Sequence, residues 1–109
     1  MLAKPNRVVS AEDYKRLVRK GSRRSAAHTI VYFSKNQTLA APRFGFIVAK
    51  NVGNAVIRNR VRRQLKALAF ERLSFLSPGA ELVIRALPGS AEAGWDILRA
   101  ELAESLNGV

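Results

Sequence analysis

The stretch Lys50-Asn51-Val52-Gly53-Asn54-Ala55-Val56-Ile57-Arg58-Asn59-Arg60-Val61-Arg62-Arg63-Gln64-Leu65 contains the join between a strand and the longest helix of the chain. Asn51-Val52-Gly53 reads as a loop. Asn54 is placed to cap a helix near residues 55–73, because its side-chain oxygen can accept a hydrogen bond from a first-turn amide. Ile57, Val61, Leu65 and Leu68 fall within roughly 80° of one another at 3.6 residues per turn, a stripe that has to be buried against another layer. Asn59, Arg60, Arg62, Arg63 and Lys66 occupy the far side, with Arg58 on the shoulder. Five cations thus lie within residues 58–66, and no acid occurs between Asp13 and Glu71 to pair with them. A charge run is ordinarily a solvated face. Here the helix N-terminus adds its own positive dipole to the guanidinium groups, and guanidinium forks bind phosphate oxygens two at a time. The row has the form of a ridge for a phosphate backbone.

Working back from this helix, Arg43-Phe44-Gly45-Phe46-Ile47-Val48-Ala49-Lys50 alternates as a strand, with Phe44, Phe46 and Val48 on a core face and Gly45 on the other. A glycine there lets a ligand or another backbone approach closely. Ser34 to Pro42 reads as a turn with its flanks. His28-Thr29-Ile30-Val31-Tyr32-Phe33 is a second strand by its β-branched and aromatic content, expected to lie antiparallel beside the first. Ser10-Ala11-Glu12-Asp13 signals a helix start, with a capping serine and carboxylates near the exposed amides. Tyr14, Leu17 and Val18 form its apolar side, Lys15, Arg16, Arg19 and Lys20 its cationic flank, and Gly21 its stop. Residues 1–9 are expected to be a flexible basic segment.

Downstream, Ser77-Pro78-Gly79 breaks the chain and Glu81-Leu82-Val83-Ile84-Arg85-Ala86 reads as another strand. Pro88-Gly89-Ser90 is a further break. Trp95, Leu98, Leu102 and Leu106 form the buried stripe of a last helix, so Trp95 is expected in the core. The pattern is a single α+β domain over residues 1–109, an α/β sandwich of helices on one sheet.

The 109 residues are 48% hydrophobic, enough for one modest core. With no cysteine, disulfides and thiolate chemistry are excluded. No secretory signal opens the chain, and no apolar run approaches the ~20 residues of a membrane helix. A cytoplasmic protein without a membrane partner is expected. The net charge of +11 is concentrated in one part of the chain. Residues 1–66 hold 16 of the 19 Lys and Arg and two of the eight acids, a local balance of +14, whereas the remainder stands at −3. A domain so charged repels itself until a polyanion neutralises it.

Gly53-Asn54-Ala55-Val56-Ile57-Arg58-Asn59-Arg60-Val61-Arg62-Arg63 resembles the signature stretch of the bacterial ribonuclease P protein family, an Arg-Asn-Arg element preceded by Gly-Asn-Ala-Val and followed by further cations. Glu12-Asp13-Tyr14 resembles that family's acidic-aromatic opening of the first helix, and Lys20-Gly21 its close. Val31-Tyr32 resembles the first strand, Phe44-Gly45-Phe46-Ile47-Val48-Ala49-Lys50 the glycine-bearing strand, and Pro88-Gly89 the turn before the last helix. The matches fall in order along nearly the whole chain. The sequence departs from the pattern at Val18, where many members carry an aromatic, at Ala49 and Asn51, where serine and lysine are usual, and in the spacing of Arg85 to Pro88.

The resemblance implies the order αβββαβα, a ribosomal-protein-like fold with a left-handed βαβ crossover against the general rule. It implies the protein subunit of an endonuclease that removes the 5′ leader of precursor tRNA. Lys50, Asn54, Arg58, Asn59, Arg60, Arg62, Arg63 and Lys66 would meet the catalytic RNA. Tyr14, Val18, Val31 and Tyr32 would contact the leader, whose unpaired bases stack on aromatic rings with little regard to sequence. Magnesium would be held by the RNA and not by this chain, and no protein partner would be required. The residues agree with an absence of catalytic groups. Metal-dependent phosphodiester cleavage normally needs several acids or histidines around the ion. The basic part offers Glu12 and Asp13, and His28 is the sole histidine. A ribosomal or RNA-chaperone protein would share the charge but lacks the full motif after a glycine-bearing strand. A helix-turn-helix regulator is disfavoured by the strands between the first two helices. A membrane-surface helix is disfavoured because the apolar stripe is needed inside.

Overall fold

The computed structural model describes residues 6–8 and 10–109. Helix α1, Ala11–Lys20, starts where the Ser10 hydroxyl accepts a hydrogen bond from the Asp13 amide. It stops at Gly21, whose N–H donates to the Leu17 carbonyl. Four strands follow along the chain: β1 (Ser22–Ser25), β2 (Thr29–Lys35), β3 (Arg43–Ile47) and β4 (Ala80–Ala86). A 3-10 turn at Lys50–Val52 leads into α2, Ala55–Arg72, where Asn54 Oδ1 accepts from the Ile57 amide at 3.0 Å. After β4 come a short α3, Ser90–Ala93, and α4, Trp95–Ser105. Gly94, at φ +83°, separates these two, a conformation that an L side chain rarely adopts.

The strands form one sheet in the order β1-β2-β4-β3. The expected neighbours β2 and β3 are therefore not neighbours. β4 lies between them, antiparallel to β2 and parallel to β3. The physical reason is the α2 crossover. A strand that returns after a helix lands parallel to the one it left, and the far edge of β3 is already occupied. There Val8 N–H donates to the Phe44 carbonyl at 2.8 Å, and Arg7 bridges Phe44 in parallel. Of the segment expected to be loose, residues 6–8 thus lie against β3, with Val8 buried. The other six lie outside the described residues. Strand β1 carries no apolar signal in its Ser-Arg-Arg-Ser sequence and forms by pairing with β2.

One face of the sheet packs Val31, Phe44, Leu82 and Ile84 against Val61, Leu65 and Leu68 of α2 and Leu98 and Leu102 of α4. Ile57 lies partly buried beside them, so the α2 stripe faces inward as its spacing predicts. The opposite face packs Ile30, Tyr32 and Val83 against Leu17, Tyr14 and Val18 of α1. Each fully buried leucine contributes on the order of 1.5–3 kcal/mol. Trp95 does not join the core. It is 36% exposed at the first residue of α4, while Leu98, Leu102 and Leu106 carry the stripe alone. The reason is position: Gly94 turns the chain at the helix start, and the core ends one turn further in. Glu101 of α4 fixes the β1–β2 loop, accepting from Thr29 Oγ1 and the His28 amide and lying 2.9 Å from His28 Nδ1.

Candidate RNA interface

Burying the apolar side of α2 leaves the opposite side to solvent. Asn59, Arg60, Arg63 and Lys66 are exposed, Arg58 and Arg62 half-buried, and Lys50 and Asn54 exposed just ahead of the helix. Among the described residues none of these cations is in an ion pair. Their hydrogen bonds are few. Arg62 Nη1 donates to Asn59 Oδ1 at 3.0 Å, and Arg60 Nη2 lies 3.5 Å from the Ala91 carbonyl. Arg58 Nε is shielded from solvent with no partner. Asn59 therefore orients Arg62, and Asn54 spends its oxygen on the helix cap.

Other cations are committed inside the protein. Glu81, near the start of the inner strand β4 and fully buried, accepts from both Arg16 of α1 and Arg43 of β3. Asp13 completes the group, 3.2 Å from Arg16 and 3.6 Å from Arg43. Burial alone would raise the Glu81 pKa, but the hydrogen bonds from Arg43 and Arg16 outweigh it and hold the carboxyl below its usual range. The same contacts push the Arg16 guanidinium higher still, the Asp13 hydrogen bond most of all. Arg24 donates to the Ser105 and Asn107 carbonyls at the end of α4, and Lys35 to Ser77 Oγ and the Val109 carbonyl. Sequence alone does not sort the committed cations from the free ones, because the partners lie 65 and 38 residues away in the Glu81 group. The one signal is an acid, Glu81, at the start of a strand that is apolar apart from it and Arg85.

The four residues expected at the leader cleft do not all converge. Tyr14, Val18 and Tyr32 share the α1 face of the sheet. Val31 does not: it is fully buried in the cluster under α2 and α4. Neighbouring strand residues point to opposite faces, so Val31 and Tyr32 cannot serve one cleft. The structure corrects that assignment. Tyr14 has its ring over Gly45, and its hydroxyl accepts from the Phe46 amide at 3.1 Å. Tyr32 is 4% exposed. Its ring carries the Arg23 and Arg85 guanidinium groups at 6.0 and 5.7 Å from its centroid, and those groups are what this part of the face presents. Reading the sequence as strands of alternating face would have paired Arg85 with Tyr32 only once the register was known.

Among the described residues no three His, Asp or Glu side chains are arranged to hold a metal ion. No described helix is long and apolar enough to cross a membrane.

The family model for ribonuclease P matches residues 2–109. A ribonuclease P protein component from Clavibacter michiganensis subsp. michiganensis is 45% identical over 106 residues, covering 97% of this chain and 94% of its own. One from Pseudarthrobacter chlorophenolicus is 40% identical over 106 residues, covering 97% of this chain and 78% of its own. The fold is that of the Staphylococcus aureus ribonuclease P protein, with a TM-score of 0.83 at 22% identity over 91% of this chain and 90% of that one. The Thermotoga maritima protein gives a TM-score of 0.83 at 20% identity, covering 94% and 96%. By motif, element order and relatives along nearly its whole length, the chain belongs to the ribonuclease P protein family, the accessory protein subunit of the endoribonuclease that matures tRNA 5′ ends.

Proposed function

We propose that α2 and the turn before it bind the catalytic RNA of ribonuclease P through Lys50, Asn54, Arg58, Asn59, Arg60, Arg62, Arg63 and Lys66. One observation carries the reading: a row of cations free of acidic partners stands on the outer side of a helix whose inner side is sealed in the core. Phosphates fill the place that acids leave vacant, and each contact releases counterions. Arg62, held by Asn59, meets RNA with its fork already oriented, so less side-chain entropy is lost.

The 5′ leader of precursor tRNA runs over the α1 face of the sheet in this reading. Val18 and the edge of Tyr14 supply apolar contact. Arg23 and Arg85, propped on Tyr32, supply planar cations that stack on bases or pair with phosphates. The chain acts by positioning the substrate and neutralising charge, while the chemistry belongs to the RNA. Magnesium neutralises charge and activates the attacking water when bound. In this reading the ligands for the ion come from the RNA; the acids on the α1 face, Asp13 and Glu81, are engaged by Arg16 and Arg43.

The test is reconstitution with a bacterial ribonuclease P RNA and precursor tRNA across a magnesium titration. Cleavage should be supported at lower magnesium with the chain than without it. An unchanged magnesium requirement would refute the reading.

A further inference from the structure

The outer side of α2 does not end with its cations. Phe70 follows Lys66 by four residues and Arg63 by seven, which places it within roughly 40° of both around the helix and about 10 Å beyond Arg63 along it. It is 50% exposed in the last turns of α2. No aromatic ring or guanidinium stacks on it among the described residues. Phe75 differs: it is more exposed, but Arg72 already lies 4.5 Å from its ring centroid. The nearest acid in sequence, Glu71, is paired with Arg99 at 3.1 Å. Phe70 is thus an uncovered aromatic face in line with unpaired cations.

From this we infer that Phe70 is a base-stacking residue that ends the RNA interface of α2. The inference rests on the reading that α2 lies on the catalytic RNA. A lone surface phenylalanine is common and explains nothing by itself. What assigns an occupant to this one is the charge around it. A second copy of the chain would bring the same cationic row face to face with itself, which is repulsive. An acidic protein would be attracted by the row but has no need of a flat ring at its end. Single-stranded or looped RNA satisfies both, with phosphates along Arg63 and Lys66 and one unpaired base on the ring. Stacking is insensitive to salt and phosphate contact is not, so the two contributions separate in one measurement.

The experiment is equilibrium binding of the full chain to ribonuclease P RNA at several salt concentrations. Phe70→Ala should weaken binding about tenfold at every salt concentration, a displaced line of unchanged slope, whereas Arg63→Ala should make the slope shallower. Phe70→Trp should restore affinity. Phe70→Leu keeps the apolar contacts of the helix and removes the flat ring; it should bind as weakly as the alanine variant, and it replaces that variant if alanine loosens the fold. If Arg63→Ala weakens binding and both Phe70→Ala and Phe70→Leu leave it within twofold, the stacking inference is overturned while the α2 interface stands. If neither position matters, both fall together. A concentration-dependent dimer of the free chain that Phe70→Ala abolishes would assign the ring to contact between copies and overturn the inference as well.

Discussion

Tyr14 occupies the space that Gly45 leaves by having no side chain: a Cβ at residue 45 would lie 2.7 Å from Cε1, Cζ and the hydroxyl oxygen of the Tyr14 ring. The glycine of β3 and the tyrosine of α1 are one device. The ring seats the helix on the sheet, and its hydroxyl accepts the edge N–H of Phe46. A glycine that sequence suggests as room for a ligand or another backbone is room for the chain's own aromatic side chain.

Gly45→Ala should therefore destabilise the protein by about 1–3 kcal/mol, the cost of overpacking a filled site. Urea unfolding measures it. Tyr14→Ala in the same background should recover part of the loss, since it removes the clash. A Gly45→Ala variant as stable as the parent would show that the ring has another place to go.

The Glu81 group gives a pH dependence of definite sign. Its carboxyl pKa is lowered in the folded chain. The stabilisation it provides is therefore present above the carboxyl pKa of the unfolded chain, roughly 4.3, and is lost as pH falls through the lower folded value. Stability measured by urea from pH 7 downward should drop across that acidic range. Glu81→Gln should be less stable at pH 7 and should lose part of the acid-side slope. Removing the carboxylate leaves Arg16 and Arg43 with Asp13 alone to pair them. Because the Arg16 side chain is 40% exposed and screened by solvent, the loss should be about 1–3 kcal/mol, less than for a fully buried pair. An unaltered acid limb in the glutamine variant would place the titration elsewhere.

Arg60→Ala combined with Arg63→Ala should leave the thermal melt of the free protein nearly unchanged, because both side chains are exposed. Binding to ribonuclease P RNA should weaken, and the log–log salt slope should shrink by about 1.5, close to two phosphate contacts. Loss of folding in this variant would contradict the orientation of α2.

Arg23 and Arg85 bear on the leader. Replacing both with alanine should reduce the preference for precursor over mature tRNA in the holoenzyme, since the two substrates differ in the leader. The expected loss in that ratio is about tenfold, in line with one stacked or charge-assisted contact. An equal loss for both tRNAs would move these guanidinium groups away from the leader.

Local pattern determined a good deal of this protein. The caps at Ser10 and Asn54, the stop at Gly21, the buried stripe Val61-Leu65-Leu68 and the outward row of Arg60, Arg63 and Lys66 all follow from contacts between residues three or four apart, which sequence spacing encodes directly. Tertiary structure alone decided the rest. Thr29 to Tyr32 is buried on both faces of an inner strand, so hydrophobicity has no alternation there to show that Val31 and Tyr32 face different layers. The insertion of β4 between β2 and β3, the engagement of Arg16 and Arg43 by Glu81, and the seating of Arg85 on Tyr32 each join residues far apart in the chain. Such pairings exist once the sheet register is set, and a one-residue slip would send every one of those side chains to the other face.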